Sequence, residues 1–287
     1  MANLKEIRIR ITSVGSTMQI TSAMKMVSAA KLKRAQDAIT QMRPYANKLT
    51  ELLVNLSSTL DSSEGGDYSE KRDVKKVLLV TITSNRGLCG GFNANIIKKA
   101  KSLIINEYKD AQTDILSIGK KSSEDFTKNG FNVLSTHDEL YSDLTFDNTS
   151  EIAQTIMDAF TNTEYDKVVV LYNQFKNAAT QIVMNEQFLP IESPENSEST
   201  IGDYIFEPNQ KDIVETLIPK SLKTQLFKAV LDSYASEHGA RMTAMHKATD
   251  NAGELKKELT LSYNKARQAA ITNEILEIVG GAEALKG

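Results

Sequence analysis

The side chains best equipped for chemistry in this chain are few and scattered. Cys89 is the single cysteine, and the histidines are His137, His238 and His246. One cysteine excludes an internal disulfide framework and a multi-cysteine zinc site. His238 and His246 stand eight residues apart with no carboxylate arranged as in HExxH, and none of the three has metal-ligand spacing. Cys89 has no partner base in the pattern and reads as a small packed residue. The remaining candidate is the glycine turn Gly87-Leu88-Cys89-Gly90-Gly91 within SNRGLCGGFN (84–93). A glycine turn between a strand and a helix is where a phosphate loop would sit. Its spacing matches neither GxGxxG nor the P-loop, so a tight structural turn is the leading reading and a ligand site the rival. No catalytic, cofactor-binding or metal-binding residue is expected, and no cofactor.

The elements that carry this turn form a small α/β domain over 75–206. VLLVTIT (77–83) is a continuous apolar, β-branched run that reads as a buried strand, followed by the turn and a helix from Asn93 to Tyr108. DILSIG (114–119), FNVLST (131–136), KVVVLYNQ (167–174) and TQIVMNEQFLP (180–190) read as further strands. Helices are expected over Ser122–Asn129 and over Ser150–Asn162, the latter capped by Ser150. Strands alternating with helices mean a parallel or mixed, Rossmann-like sheet. Residues 61–73 and 192–203 are polar linkers.

The two ends carry a different period. Steps of three and four from Leu4 pass through Ile7, Ile11, Val14, Met18, Thr21, Lys25, Ser28, Leu32, Ala35, Ile39, Met42, Ala46, Leu49, Leu53, Leu56 and Leu60, and fourteen of these seventeen positions are apolar. That is a coiled-coil seam, and at about 1.5 Å per residue it extends over about 80 Å. Pro44 is expected to kink this helix without ending it. From Phe227 a second seam runs through Leu231, Tyr234, His238, Arg241, Met245, Ala248, Ala252, Leu255 and Leu259, then drifts to Tyr263, Ala266 and Ala270. Pro219 is expected to separate a short leading helix (209–218) from the long one. The simplest pairing is an antiparallel two-helix coil of 1–60 with 209–287. Thr21, Lys25, Ser28, His238 and Arg241 are polar on the seam. They read either as coiled-coil imperfections or as side chains turned to a third partner.

The chain has 287 residues, with 40% hydrophobic and 25% charged, so it is neither disordered nor membrane-embedded. Only 6% is aromatic, with no Trp, as suits long packed helices. The net charge of −3 hides a segregation: 1–60 carries nine Lys/Arg against three Asp/Glu, 209–287 eleven against ten, and 61–208 fourteen against twenty-four. Basic ends and an acidic middle meet different partners. MANLKEIRIRI has no apolar h-region and reads as mature protein.

The stretches IRIRITSVGSTMQITSAMKMVSAAKLKRAQ (7–36), SNRGLCGGFN (84–93) and ASEHGARMTAMHKATDNAGELKKELTLSYNKARQAAITNEILEIVGGAEAL (235–285) closely resemble the gamma subunit of rotary F-type ATP synthases. The resemblance runs the length of the chain. It implies a central rotor shaft, one copy per complex. The partners are the alpha and beta subunits of the catalytic hexamer, an epsilon subunit and a ring of c subunits. The chain itself is non-catalytic but a required part of the proton-transporting ATPase. Its place is the cytoplasmic face of the cell membrane, peripherally bound, and the bacterial form is expected. By the same resemblance Met24, Lys25, Arg241, Gln268 and Thr272 are coupling contacts to beta. Ile271, Ile275, Ile278 and Val279 form the apolar shaft tip, and Tyr204, Ile205, Phe206 and Glu207 the foot on the c ring. From spacing alone Met24 reads as packing, and Gln268 and Thr272 as a solvated helix face. Asn85 stands where many relatives have Asp, and the cysteine-bearing regulatory segment of the chloroplast version is missing. The alternative reading is a basic coiled-coil arm that binds nucleic acid. Against it, 1–40 contains no aromatic residue on which bases could stack.

Overall fold

The computed structural model describes residues 4–57, 68–191 and 210–284. Five strands form one mixed sheet: β1 (Lys76–Ile82), β2 (Gln112–Ile118), β3 (Val133–Thr136), β4 (Lys167–Asn177) and β5 (Thr180–Leu189), in the order β3-β2-β1-β4-β5. β1 runs parallel to both β2 and β4, β3 is parallel to β2, and β5 closes the far edge antiparallel to β4. Between them lie α2 (Phe92–Asn106), α3 (Lys120–Lys128), a 3-10 turn at Glu139–Ser142 and α4 (Phe146–Thr161). The long helices are α1 (Leu4–Ser57) and α5 (Gln210–Ala284).

The five strands expected from β-branched runs are all present. The runs are apolar on consecutive residues because both faces of the sheet are covered. On one face β1, β2 and β4 meet Ile96, Ala100 and Leu103 of α2 and Phe126 of α3. On the other they meet Ile152, Ile156 and Phe160 of α4 together with Ile218, Leu222, Leu226 and Val230 of α5. Each fully buried Leu or Phe in these layers stabilises the fold by about 1.5–3 kcal/mol.

Three expectations are corrected. Pro219 does not divide the C-terminal helix, which is continuous over 75 residues. A proline removes one backbone donor, and here the flanking Ile218 and Leu222 are pinned in the core, which holds the helix across the lost bond. α4 begins a turn before Ser150, because the Thr145 hydroxyl accepts the backbone N–H of Asn148 and forms the cap. The third is Leu255, which is 45% exposed, while Lys256 takes the seam position. Gly15 stands opposite, and a Cβ there would lie 3.6 Å from the Lys256 Nζ. The missing side chain on α1 makes room for a long one on α5.

The chain divides into two compact units, one formed by 1–28 with 242–287 and the other by 29–241. The second therefore holds the α/β sheet together with the neighbouring stretches of both long helices. Within it the exposed-side Arg43 of α1 reaches the buried carboxylate of Asp232 on α5 at 3.8 Å.

Candidate functional site

The paired helices of the first unit have a single antiparallel register. Arg8 donates to the Tyr263 hydroxyl at 2.7 Å, the Thr21 and Thr249 hydroxyls meet at 2.8 Å, and Lys25 Nζ lies 3.4 Å from His246 Nδ1. Gly15 faces Lys256 and Gly253 faces Met18. The residue numbers of every one of these pairs add to 270 or 271, so the register is unbroken. On α1 Ile7, Thr21 and Ser28 are buried and Ile11, Val14, Met18 and Lys25 half-buried, as the heptad requires. The polar seam positions Thr21 and Lys25 are satisfied across the pair.

The same register separates the expected coupling residues. Met24 and Lys25 are half-buried and lie opposite the His246 region, whereas Gln268 and Thr272 are exposed some 22 residues farther along α5. At about 1.5 Å per residue the two sets are about 33 Å apart. Thr272 turns its hydroxyl back to the Gln268 carbonyl at 2.9 Å. Ile271, Ile275, Ile278 and Val279 are 48%, 54%, 71% and 59% exposed. Tyr204, Ile205, Phe206 and Glu207 lie outside the described residues. Ile9, Ile20 and Val27, spaced eleven and seven apart on α1, are also exposed on one helical face. Heptad reading passes over them because they lie off the seam; an apolar residue off the seam was the available signal.

Arg241, the remaining expected coupling residue, has a different setting. It is buried in the second unit, where it donates to Glu237 Oε1 at 2.5 Å and to the carbonyls of Arg86 and Gly87 at 3.0 and 3.3 Å. All but one of the α5 residues from Leu231 to Ala240 are buried as well. Tyr234 stacks on Tyr141 with ring centroids 5.9 Å apart and meets His238 edge-on at 4.5 Å. Arg241 is therefore bound to the α/β body, whereas His238 is buried beside Tyr234 with neither ring nitrogen hydrogen-bonded.

The glycine turn is held by the protein's own groups. Leu88 and Gly90 adopt φ of 62° and 60°. Asn93 accepts the Ser84 N–H at 2.9 Å and donates to Cys89 Sγ at 3.2 Å, and the Ser84 hydroxyl donates to the Arg86 carbonyl at 2.7 Å. Cys89 packs with Phe92 and Ala240, and burial pushes its thiol up, away from the reactive thiolate. Among the described residues no group of His, Cys, Asp and Glu could hold a metal ion, and no helix is long and apolar enough to cross a membrane.

Burial gives α5 opposed titrations. It pushes the His238 imidazole down to about 3, with the charges of Arg241 and Lys31 adding to the shift. It pushes the Glu237 carboxyl up against the opposing pull of Arg241, and that of Asp232 up against Arg43 and Lys228. A depressed histidine contributes stability that is complete above pH 6.5 and lost as pH falls toward 3; the raised carboxyls contribute stability that is lost as pH rises through their folded values. Replacing His238 by Gln removes only the first of these. The stability of wild type relative to His238→Gln is expected to fall by about 2–3 kcal/mol between pH 6.5 and 4.5, at about 1.4 kcal/mol per unit. Urea midpoints at the two pH values check it; a constant difference refutes it.

A doubly wound body and a pair of long helices in antiparallel register define a class of coiled-coil α/β proteins. Residues 3–285 match the protein family described as ATP synthase. The chain is 65% identical over 289 residues to the ATP synthase gamma chain of Flavobacterium psychrophilum and 63% over 287 to that of Christiangramia forsetii, with both chains covered in full each time. Among solved structures it resembles a chain of the Tetrahymena thermophila mitochondrial ATP synthase central stalk and c-ring assembly. There the TM-score is 0.62 at 26% identity, over 80% of this chain and 99% of that one. A chain of the Euglena gracilis mitochondrial ATP synthase shares the fold, with a TM-score of 0.71 at 21% identity over 98% and 94%. The chain belongs to the ATP synthase gamma-chain family, and is by that membership a non-catalytic part of the enzyme.

Proposed function

We propose that this chain is the rotor shaft that couples ion-driven rotation of a c ring to ATP synthesis or hydrolysis in a hexamer of alpha and beta subunits. It is present in one copy, with an epsilon subunit beside it, at the cytoplasmic face of the membrane and held there peripherally through the c ring. The observation that carries this reading is the unbroken antiparallel register of α1 with α5 in a chain of this family. A two-helix pair has no threefold symmetry. Three identical beta subunits around it meet three different faces, and each is biased to a different conformation by differential contact. Rotation permutes those contacts.

Met24 and Lys25 form one contact station for the beta subunits, and Gln268 with Thr272 a second, about 33 Å farther along. The exposed apolar face of Ile9, Ile20 and Val27 supports contact along α1, since such a face in a monomer marks an interaction surface. Ile271, Ile275, Ile278 and Val279 are the tip that runs in an apolar sleeve, and Tyr204, Ile205, Phe206 and Glu207 the foot on the c ring. Arg241 belongs to the body, not to the exposed stations.

Reconstitution tests the reading. Purified alpha and beta subunits with this chain are expected to give a stable complex whose ATP hydrolysis exceeds that of alpha and beta alone by at least tenfold. Removal of 265–287 together with substitution of the Met24 region is expected to abolish the gain. No assembly, combined with strongly salt-dependent RNA binding by the isolated chain, would replace this reading with that of a nucleic-acid arm.

A further inference from the structure

In a doubly wound sheet, ligands bind outside the carboxyl ends of the strands at the point where strand order reverses. Here β1 lies between β2 and β4, and the crossover helix α2 packs on the face opposite to α4, so that point is the gap between the ends of β1 and β4. α5 fills it. The Ser236 hydroxyl donates at 2.9 Å to the Asn173 carbonyl on β4, two residues past its last pair with β1, and Ala240 packs on Cys89 and Phe92 beyond the end of β1. Gly239 lies so close to the β4–β5 connection that a Cβ would stand 3.1 Å from the Ala178 Cα. The turn after β1 also has its polarity reversed. A phosphate loop offers N–H groups to an anion, whereas this turn offers the carbonyls of Arg86 and Gly87 to the guanidinium of Arg241.

We infer that the ligand crevice of the α/β body serves as a socket for α5. In it the Glu237–Arg241 pair, bound to the Arg86 and Gly87 carbonyls, locks the helix against twisting relative to the sheet. Arg241 is then a positioning residue for torque transfer, and this rests on the shaft reading above. The geometry suits that task. A guanidinium holds two carbonyls and a carboxylate at once in a fixed plane, which a single hydrogen bond or an apolar contact cannot do. Arg241 is also the last residue of α5 in the second compact unit, so the lock stands where the helix leaves the body. Burial of the pair keeps water from competing for its donors.

The test uses the assembled complex of alpha, beta and this chain, immobilised through the hexamer and stalled with a non-hydrolysable ATP analogue. A rigid probe on Ile105→Cys, an exposed position of α2, reports the angular fluctuation of the body. Arg241→Lys keeps a charge for Glu237 but cannot span both carbonyls, and the double variant Glu237→Gln/Arg241→Met removes the lock without leaving a buried charge unpaired. Both are expected to raise the angular variance at least twofold over the Ile105→Cys parent. Unchanged variance in complexes that contain the variant chains overturns the lock. So does failure of both variants to assemble where the parent assembles, since the pair would then be a folding requirement. Failure of the parent itself to assemble sinks the shaft reading instead, and is seen before either variant is made.

Discussion

Replacing Gly119 by alanine is expected to destabilise the α/β body by about 4 kcal/mol or more, enough to leave much of the chain unfolded at 37 °C. Gly119 ends β2 with φ of 98°, a conformation that L side chains rarely adopt. The space is closed as well: a Cβ would stand 2.0 Å from the Thr83 carbonyl oxygen and 3.2 Å from the Tyr141 ring. Neither neighbour is free to move. The Thr83 N–H bonds the Ile118 carbonyl, its hydroxyl bonds Ser122 at 2.8 Å, and Tyr141 stacks on Tyr234 of α5. Relieving the clash means parting β1 from β2 at the point where the glycine turn and the α5 socket begin. Loss of the cooperative urea transition in Gly119→Ala checks the expectation; a midpoint within about 1 kcal/mol of wild type refutes it. Gly90, with φ of 60° but open space around it, is the control, where alanine carries the backbone strain alone.

The contrast between these two glycines illustrates what the sequence discloses. Gly90 belongs to a local turn whose glycine spacing announces it, whereas the demand on Gly119 comes from Thr83, thirty-six residues away, and no pattern within a window of the chain contains it. The same division runs through the whole molecule. The seam from Leu4 to Leu49 is legible because every coil position recurs at three and four, and the strands because β-branched runs need a covered sheet. The Lys256 seam position was not legible, since a lysine reads as surface until Gly15 on the other helix is known to lie opposite. Arg241 was visible as an exception to the apolar seam, yet its partners Arg86 and Gly87 are reached only through the fold, whereas His238 meets Tyr234 one helical turn back on α5. The burial of Arg241 could not be read from helical spacing either, because it is set by the body that packs on α5. The Pro219 boundary was misplaced because a proline rule weighs one lost backbone bond without the core contacts of Ile218 and Leu222 beside it.

The steepest gradient of local stability is expected along α5 itself. Its residues from Leu222 to Arg241 are held by the α/β body, with Leu226, Val230, Ala235 and Ser236 fully enclosed. From Met245 to Ala266 the helix has one partner, α1, in a register where numbers add to 270 or 271. By that arithmetic the first residue of α1, Leu4, stands opposite residues 266 and 267, and every described residue from Ile271 to Ala284 is exposed. A lone helical segment of this length is marginal in water, because nucleation is costly and side-chain packing contributes nothing. Amide exchange in the free chain is therefore expected to be slowest over 222–241 and intermediate over 245–266. Over 271–284 it should be within about tenfold of an unfolded peptide, a span of several orders of magnitude on one continuous helix. Assembly with the alpha and beta subunits should slow exchange at 271–284 by at least a hundredfold. Strong protection there in the free chain would mean that the tip covers Ile271, Ile275, Ile278 and Val279 by itself. These side chains would then have no need of a sleeve, and the assignment of the tip as a bearing surface would fall.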